Sequence, residues 1–124
     1  MPRILLVADQ VEAFEELARS LRHEENVEIL WGHDSEAALN SAAADTPDLV
    51  IVDEVIGEVQ GLDWIQRLIS VNAFVQTAAV SRLTPEDFHE TSEGLGIMAQ
   101  LPPHPGKTDA LRILKMIGKS PKLG

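Results

Sequence analysis

The 124-residue sequence predicts an α/β fold, a doubly wound five-stranded parallel sheet with helices on both faces. Three observations predict it. Short uninterrupted apolar runs, such as residues 4–8 and 49–52, read as strands buried on both faces. Other segments carry apolar residues at three- and four-residue spacing, the period of an amphipathic helix. The two kinds of segment alternate five times along the chain, which is the pattern of parallel strands joined by crossover helices.

Each element has its own reason. Residues 4–8 are continuously apolar and end at Asp9. Val11, Phe14, Leu17, Ala18 and Leu21 then recur at helical spacing, with Glu12, Glu15, Glu16 and Arg19 between them. Residues 27–31 read as the second strand. Residues 35–44 are alanine-rich and helical, ending before Pro47. Residues 49–52 form the third strand, again closed by an aspartate, Asp53. The segment 57–61 has two glycines but no Lys-Ser/Thr pair of a phosphate loop, so it reads as a flexible loop beside Asp53. Leu62, Ile65, Leu68 and Ile69 line the inner face of the third helix. Residues 74–80 read as a strand that ends at Ser81. Thr84, Pro85, Glu86 and Asp87 form a helix start: a capping hydroxyl, a proline at the first helical position and acids at the positive end. Gly94 and Gly96 are expected to close that helix. Residues 97–101 read as the fifth strand, followed by Pro102 and Pro103. Ala110, Leu111, Leu114 and Ile117 give the last helix. A single domain over residues 1–118 and a frayed Lys/Pro/Gly-rich tail over 119–124 follow from this reading.

Composition narrows the function classes. The charged residues are 20 acidic against 10 basic, a formal charge of −10, which disfavours binding to a nucleic-acid backbone. There is no cysteine, so disulfides, zinc–thiolate sites and a cysteine nucleophile are excluded. Aromatics make up 4% of the chain, so the core must be aliphatic, and Trp31 and Trp64 are expected to pack at element edges. His23, His33, His89 and His104 have no metal-ligand spacing. No apolar stretch reaches membrane-spanning length and none resembles a signal peptide, so no membrane association and a cytoplasmic location are expected.

Function in such sheets sits at the carboxyl ends of the strands, near the reversal of strand order. Asp9, Asp53 and Ser81 fall at three of those ends. Two carboxylates there make a hard, oxygen-rich site suited to magnesium, and one of them could accept a phosphoryl group. A nearby hydroxyl could donate to a phosphoryl oxygen.

These residues carry a resemblance to the receiver domains of bacterial two-component response regulators, which have a flavodoxin-like topology. Ile4-Leu5-Leu6-Val7-Ala8-Asp9 is similar to the family's first strand, Asp48-Leu49-Val50-Ile51-Val52-Asp53 to its third, and Gly61 stands where the family has a glycine opening the next helix. The resemblance implies that Asp53 is the phospho-acceptor, that Ser81 is the switch hydroxyl, and that Asp9, Asp53 and the backbone carbonyl of Val55 hold Mg2+. It also implies a phosphorelay role. A histidine kinase or phosphotransfer protein would supply the phosphoryl group, and the signalling face, roughly residues 84–117, would engage a downstream protein or a second copy of the chain.

The sequence departs from the family pattern at three points. Ala8 replaces the first of two acids at the end of strand one. The usual Lys-Pro after the last strand is missing, with Leu101-Pro102 standing there if aligned by the strand and His104-Pro105 if aligned by the helix. Gly57 replaces a frequent proline. Magnesium binding should therefore be weak, and Lys107 is the nearest lysine that could lean toward the site. Retention of Asp9, Asp53 and Ser81 favours a phosphorylated receiver. The departures favour the alternative, a phosphorylation-independent pseudo-receiver acting as a protein-interaction module. A small enzyme or flavin carrier on the same fold is disfavoured. Residues 9–13 are no Ser/Thr/Gly-rich phosphate loop, and Val55 stands where an aspartate-based phosphatase would want a second acid.

Overall fold

The computed structural model describes residues 2–24 and 26–118, so the tail expected over 119–124 lies outside the described residues. Along the chain come β1 (Arg3–Val7), a 3-10 turn (Val11–Phe14) running into α1 (Glu15–Glu24), β2 (Glu28–Gly32), α2 (Ser35–Ala44) and β3 (Leu49–Val52). A short hairpin of β4 (Val55–Ile56) and β5 (Val59–Gln60) follows, then α3 (Gly61–Val71), β6 (Thr77–Val80), α4 (Pro85–Thr91), β7 (Ala99–Leu101) and α5 (Lys107–Gly118). Five strands form one sheet in the order β2-β1-β3-β6-β7, with every neighbouring pair parallel. The order reverses between β1 and β3, which places a crevice beyond their carboxyl ends.

Alternation along the central strands divides the core in two. Ile4, Leu6, Leu49 and Ile51 face one layer, where they meet Phe14, Leu17, Leu21 and Ile113 of the α1–α5 side. Leu5, Val7, Val50 and Val52 face the other, against Trp64, Ile65, Leu68 and Phe88. Both faces of β1 and β3 are thus covered, which is why residues 4–8 and 49–52 carry no polar side chain. β2 lies at the sheet edge and is correspondingly more exposed.

Several local expectations are corrected. Residues 57–61 are not a plain loop: Gly57 and Glu58 make the two-residue turn of the β4–β5 hairpin. Gly57 has φ +63, a conformation that glycine adopts without a Cβ penalty. Strand β6 starts at Thr77 rather than 74, because Phe74 projects into solvent and its amide is taken by the Asn72 side chain. Strand β7 starts at Ala99 rather than 97. α4 stops at Thr91, short of Gly94 and Gly96, where the Ser92 hydroxyl bonds back to the Phe88 carbonyl. Trp64 is not at an edge: it is fully buried, and its indole N–H donates to the Ser35 carbonyl, tying α3 to α2. The Thr84 cap is as expected, its hydroxyl accepting from the Asp87 amide.

Candidate functional site

The parallel ladder continues one residue past β1 and β3 and so sets where the site residues leave the sheet. The Ala8 amide bonds the Gly32 carbonyl, and the Asp53 amide bonds the Val7 carbonyl at 2.9 Å. Ala8 is buried, and its carbonyl meets the His33 ring at Nδ1. Asp9 is the first exposed residue after β1. Its Oδ2 accepts from the Gly57 amide at 2.7 Å, so the left-handed glycine turn of the hairpin points an N–H back at the end of β1.

Asp53 is half-buried and its Oδ1 accepts from the following amide, that of Glu54, at 2.8 Å. The chain then turns sharply, and the Gly61 amide donates to the Glu54 carbonyl. A Cβ at Gly61 would run into the Asp53 carbonyl oxygen, so only glycine permits this close return of α3 onto the strand end. Because Glu54 and Gly61 are hydrogen-bonded, the next antiparallel pair, Val55 opposite Gln60, is a non-bonded one. The Val55 carbonyl is therefore not used by the hairpin.

Ser81 ends β6 with its amide on the Leu101 carbonyl, and its buried hydroxyl accepts from the Leu83 amide at 3.1 Å. The hydroxyl proton remains available to a further acceptor. The loop it heads is held from β7: the Gln100 side-chain amide donates to the carbonyls of Ser81 and Leu83.

A small cavity of 180 Å³ opens at Asp53, with Glu54, Val55, Arg82, Pro103 and His104 among its lining residues. Ser81 faces a neighbouring cavity of 290 Å³, which Glu54 also borders. Asp53 and Val55 are thus brought together, and Asp9 is tied to the same hairpin, while Ser81 stands beside the Asp53 cavity rather than in its wall.

Two residues at this mouth were not singled out from the sequence. Glu54 Oε1 pairs with the Arg82 guanidinium at 2.9 Å, and Glu54 Oε2 accepts from the Arg82 amide at 2.8 Å. The pair joins the ends of the neighbouring strands β3 and β6. The available sequence signal was positional, since each residue immediately follows a strand-end candidate.

The structure also separates the two alignments for the missing lysine. Leu101 is fully buried in the core on the α1–α5 side, whereas His104 borders the Asp53 cavity with φ +51, a left-handed backbone between two prolines. Lys107 lines a different cavity, with Glu16, Arg19 and His23 of α1, and so is not turned toward Asp53. Among the described residues no cluster of three or more acidic, histidine or cysteine side chains could hold a metal ion. The donors present are two carboxylates, each with a second oxygen beyond the one bonded to an amide, and the Val55 carbonyl. Asp53 and Val55 share one cavity whose lining does not include Asp9, and donors of this kind suit magnesium in its water-rich form, in which one or two carboxylates hold an ion that keeps several waters. Among the described residues no helix is long and apolar enough to cross a membrane.

Residues 4–102 match the family of response regulator receiver domains. Solved structures similar to this chain include a two-component response regulator from Clostridium difficile. It has 12% identity and a TM-score of 0.82, with 99% of this chain and 100% of that chain covered. The chemotaxis response regulator CheY4 of Vibrio cholerae is 18% identical with a TM-score of 0.80, over 94% of this chain and 98% of that chain. The non-phosphorylated HemR receiver domain from Leptospira biflexa is 20% identical with a TM-score of 0.80, over 100% and 99%. No curated protein sequence matches.

Proposed function

The chain belongs to the response regulator receiver domain family, a family of phosphorelay signalling modules, and from that premise we propose that Asp53 accepts a phosphoryl group from a histidine kinase or phosphotransfer protein. The observation that carries the reading is the placement of Asp53: at the end of central strand β3, half-buried and open to a small cavity. A carboxylate oxygen of Asp53 attacks the phosphorus of a phosphohistidine. The P–N bond breaks, its electron pair passes to the imidazole, which takes up a proton, and a mixed anhydride is left on Asp53. The Ser81 hydroxyl donates its free proton to a phosphoryl oxygen. Asp9, Asp53 and the Val55 carbonyl would hold Mg2+, which when bound offsets phosphoryl charge. With Ala8 in place of an acid, that affinity is in the millimolar range, about −4 kcal/mol.

The downstream effect is a changed protein-interaction surface across α4, β7 and α5, residues 84–117, for a downstream protein or a second copy of the chain. The excess of acidic residues argues against a nucleic-acid partner, and the working place is the cytoplasm. A second reading, a phosphorylation-independent pseudo-receiver used as a protein-interaction module, is favoured by one observation: the Glu54 carboxylate stands next to the acceptor, and among the described residues no lysine lines their cavity.

Incubation with a small phosphodonor and magnesium, followed by intact-mass measurement, tests the reading. Slow addition of one phosphoryl group is expected, absent in Asp53→Asn and reduced in Asp9→Asn. An unmodified wild-type protein under saturating donor and magnesium would leave the pseudo-receiver reading in its place.

A further inference from the structure

An acyl phosphate brings negative charge to a carboxylate that already has Glu54 as its neighbour. Some cation must face it. Leu101, at the strand-aligned position of the missing lysine, carries no charge and is in the core, and Lys107 faces α1, so neither supplies it. Arg82 borders the same 180 Å³ cavity as Asp53 and follows Ser81, the proposed hydroxyl donor. We propose that Arg82 is the phosphoryl-binding cation of this site, held in the resting protein by Glu54 and transferred to the phosphoryl oxygens when Asp53 is modified. The inference rests on Asp53 as acceptor.

Three features of the pair suit such an exchange. The Arg82 side chain is 73% exposed and contacts Glu54 through one terminal nitrogen, so packing does not lock it in place. A guanidinium carries five donors, and its planar fork matches phosphoryl oxygens as well as a carboxylate. The backbone amide of Arg82 is itself anchored on Glu54 Oε2, which keeps the base of the side chain beside the cavity whichever acceptor the guanidinium takes. Glu54 and the phosphoryl group then compete for one cation, so Glu54 acts as a brake on phosphorylation. His104 also lines the cavity and is the rival hydrogen-bond donor to the phosphoryl group.

The test is the time course of labelling by acetyl phosphate with magnesium, read by intact mass, for wild type, Arg82→Gln, Arg82→Lys, Glu54→Gln, His104→Gln and the double variant Glu54→Gln/Arg82→Gln. Arg82→Gln should slow labelling about tenfold, the scale of one lost charge-assisted hydrogen bond. Arg82→Lys should recover part of that loss, and Glu54→Gln should speed labelling severalfold. Glu54→Gln removes a negative charge as well as a partner, so the double variant decides: the acceleration should shrink when Arg82 is absent. Labelling of Arg82→Gln at the wild-type rate, or a larger loss in His104→Gln than in Arg82→Gln, would overturn the role of Arg82 while leaving Asp53 as acceptor. No label in either wild type or Glu54→Gln would overturn both readings together. If Arg82→Gln fails to fold by circular dichroism, Arg82→Lys and Glu54→Gln carry the test, and wild-type rates in both overturn the assignment.

Discussion

The two edges of the sheet satisfy their carboxylates in different ways. At the amino-terminal edge, three acids converge on one arginine. The Arg3 amide donates to Asp48 Oδ2 at 2.7 Å, while its guanidinium bonds Asp45 at 2.9 Å and pairs with Glu28 at 3.5 Å. At the carboxyl edge, Asp9 and Asp53 accept from the backbone amides of Gly57 and Glu54, and Arg82 is shared with Glu54. The ratio of three carboxylates to one guanidinium is the same at both edges, but here the guanidinium is taken by Glu54 while the aspartates rest on backbone amides, and a cavity opens at Asp53 and Glu54. An edge whose carboxylates converge on one arginine holds the fold together. An edge whose aspartates rest on backbone amides leaves their second oxygens open to a ligand, as the proposed function requires, and the fold tolerates it because both carboxylates stay in contact with solvent.

Substitutions at the two edges should therefore separate stability from chemistry. The largest effect on both is expected from Gly61→Ala, which pushes a methyl group into the Asp53 carbonyl. The cost should be about 2 kcal/mol, as for overpacking at a site whose neighbour is backbone, seen as a lower midpoint in urea unfolding and a slower phosphodonor reaction. An unchanged midpoint would mean that α3 can shift without disturbing β3. Next is Ala8→Asp, which adds an acid beside Asp9. Magnesium should bind about tenfold tighter, about 1.4 kcal/mol, by isothermal titration. Without metal the variant should be less stable than wild type, because Ala8 is buried.

At the opposite edge, Asp45→Asn removes an exposed partner of Arg3 and should change stability by less than about 1 kcal/mol with no change in labelling. A labelling defect there would break the distinction between the edges. The smallest effect is expected away from both. The hydrogen bond from Arg67, with its charge, holds the Glu36 carboxyl below its ordinary value of 4.5. A lowered folded value means that the contribution to stability is present above pH 4.5 and is lost as pH falls through the folded value. Glu36 is exposed, so the difference between wild type and Glu36→Gln in thermal midpoint should be slight near neutrality and vanish in acid. A difference that grew on acidification would contradict the sign.

Much of this protein is determined by its sequence alone. Uninterrupted apolar runs can satisfy their side chains only between two helical layers, so residues 4–8 and 49–52 specify central parallel strands before any contact is known. Where each run ends is equally local, which is why Asp9, Asp53 and Ser81 could be placed at strand ends from periodicity. Other features depended on which strand ends become neighbours and on how the loops between them turn. Glu54 and Arg82 are 28 residues apart and pair only because β3 lies beside β6. Asp9 meets an amide 48 residues away because a left-handed Gly57 aims it there. The same holds for the candidates for the missing lysine. Leu101 is still paired with β6 and so points into the core, while His104, freed by the prolines and a left-handed backbone, reaches the cavity, and Lys107 opens α5 facing α1. Periodicity reports which face of an element is buried. It carries no information about the partner a charged side chain finds once the chain has left the sheet, because that choice is made by strand order and loop dihedral angles.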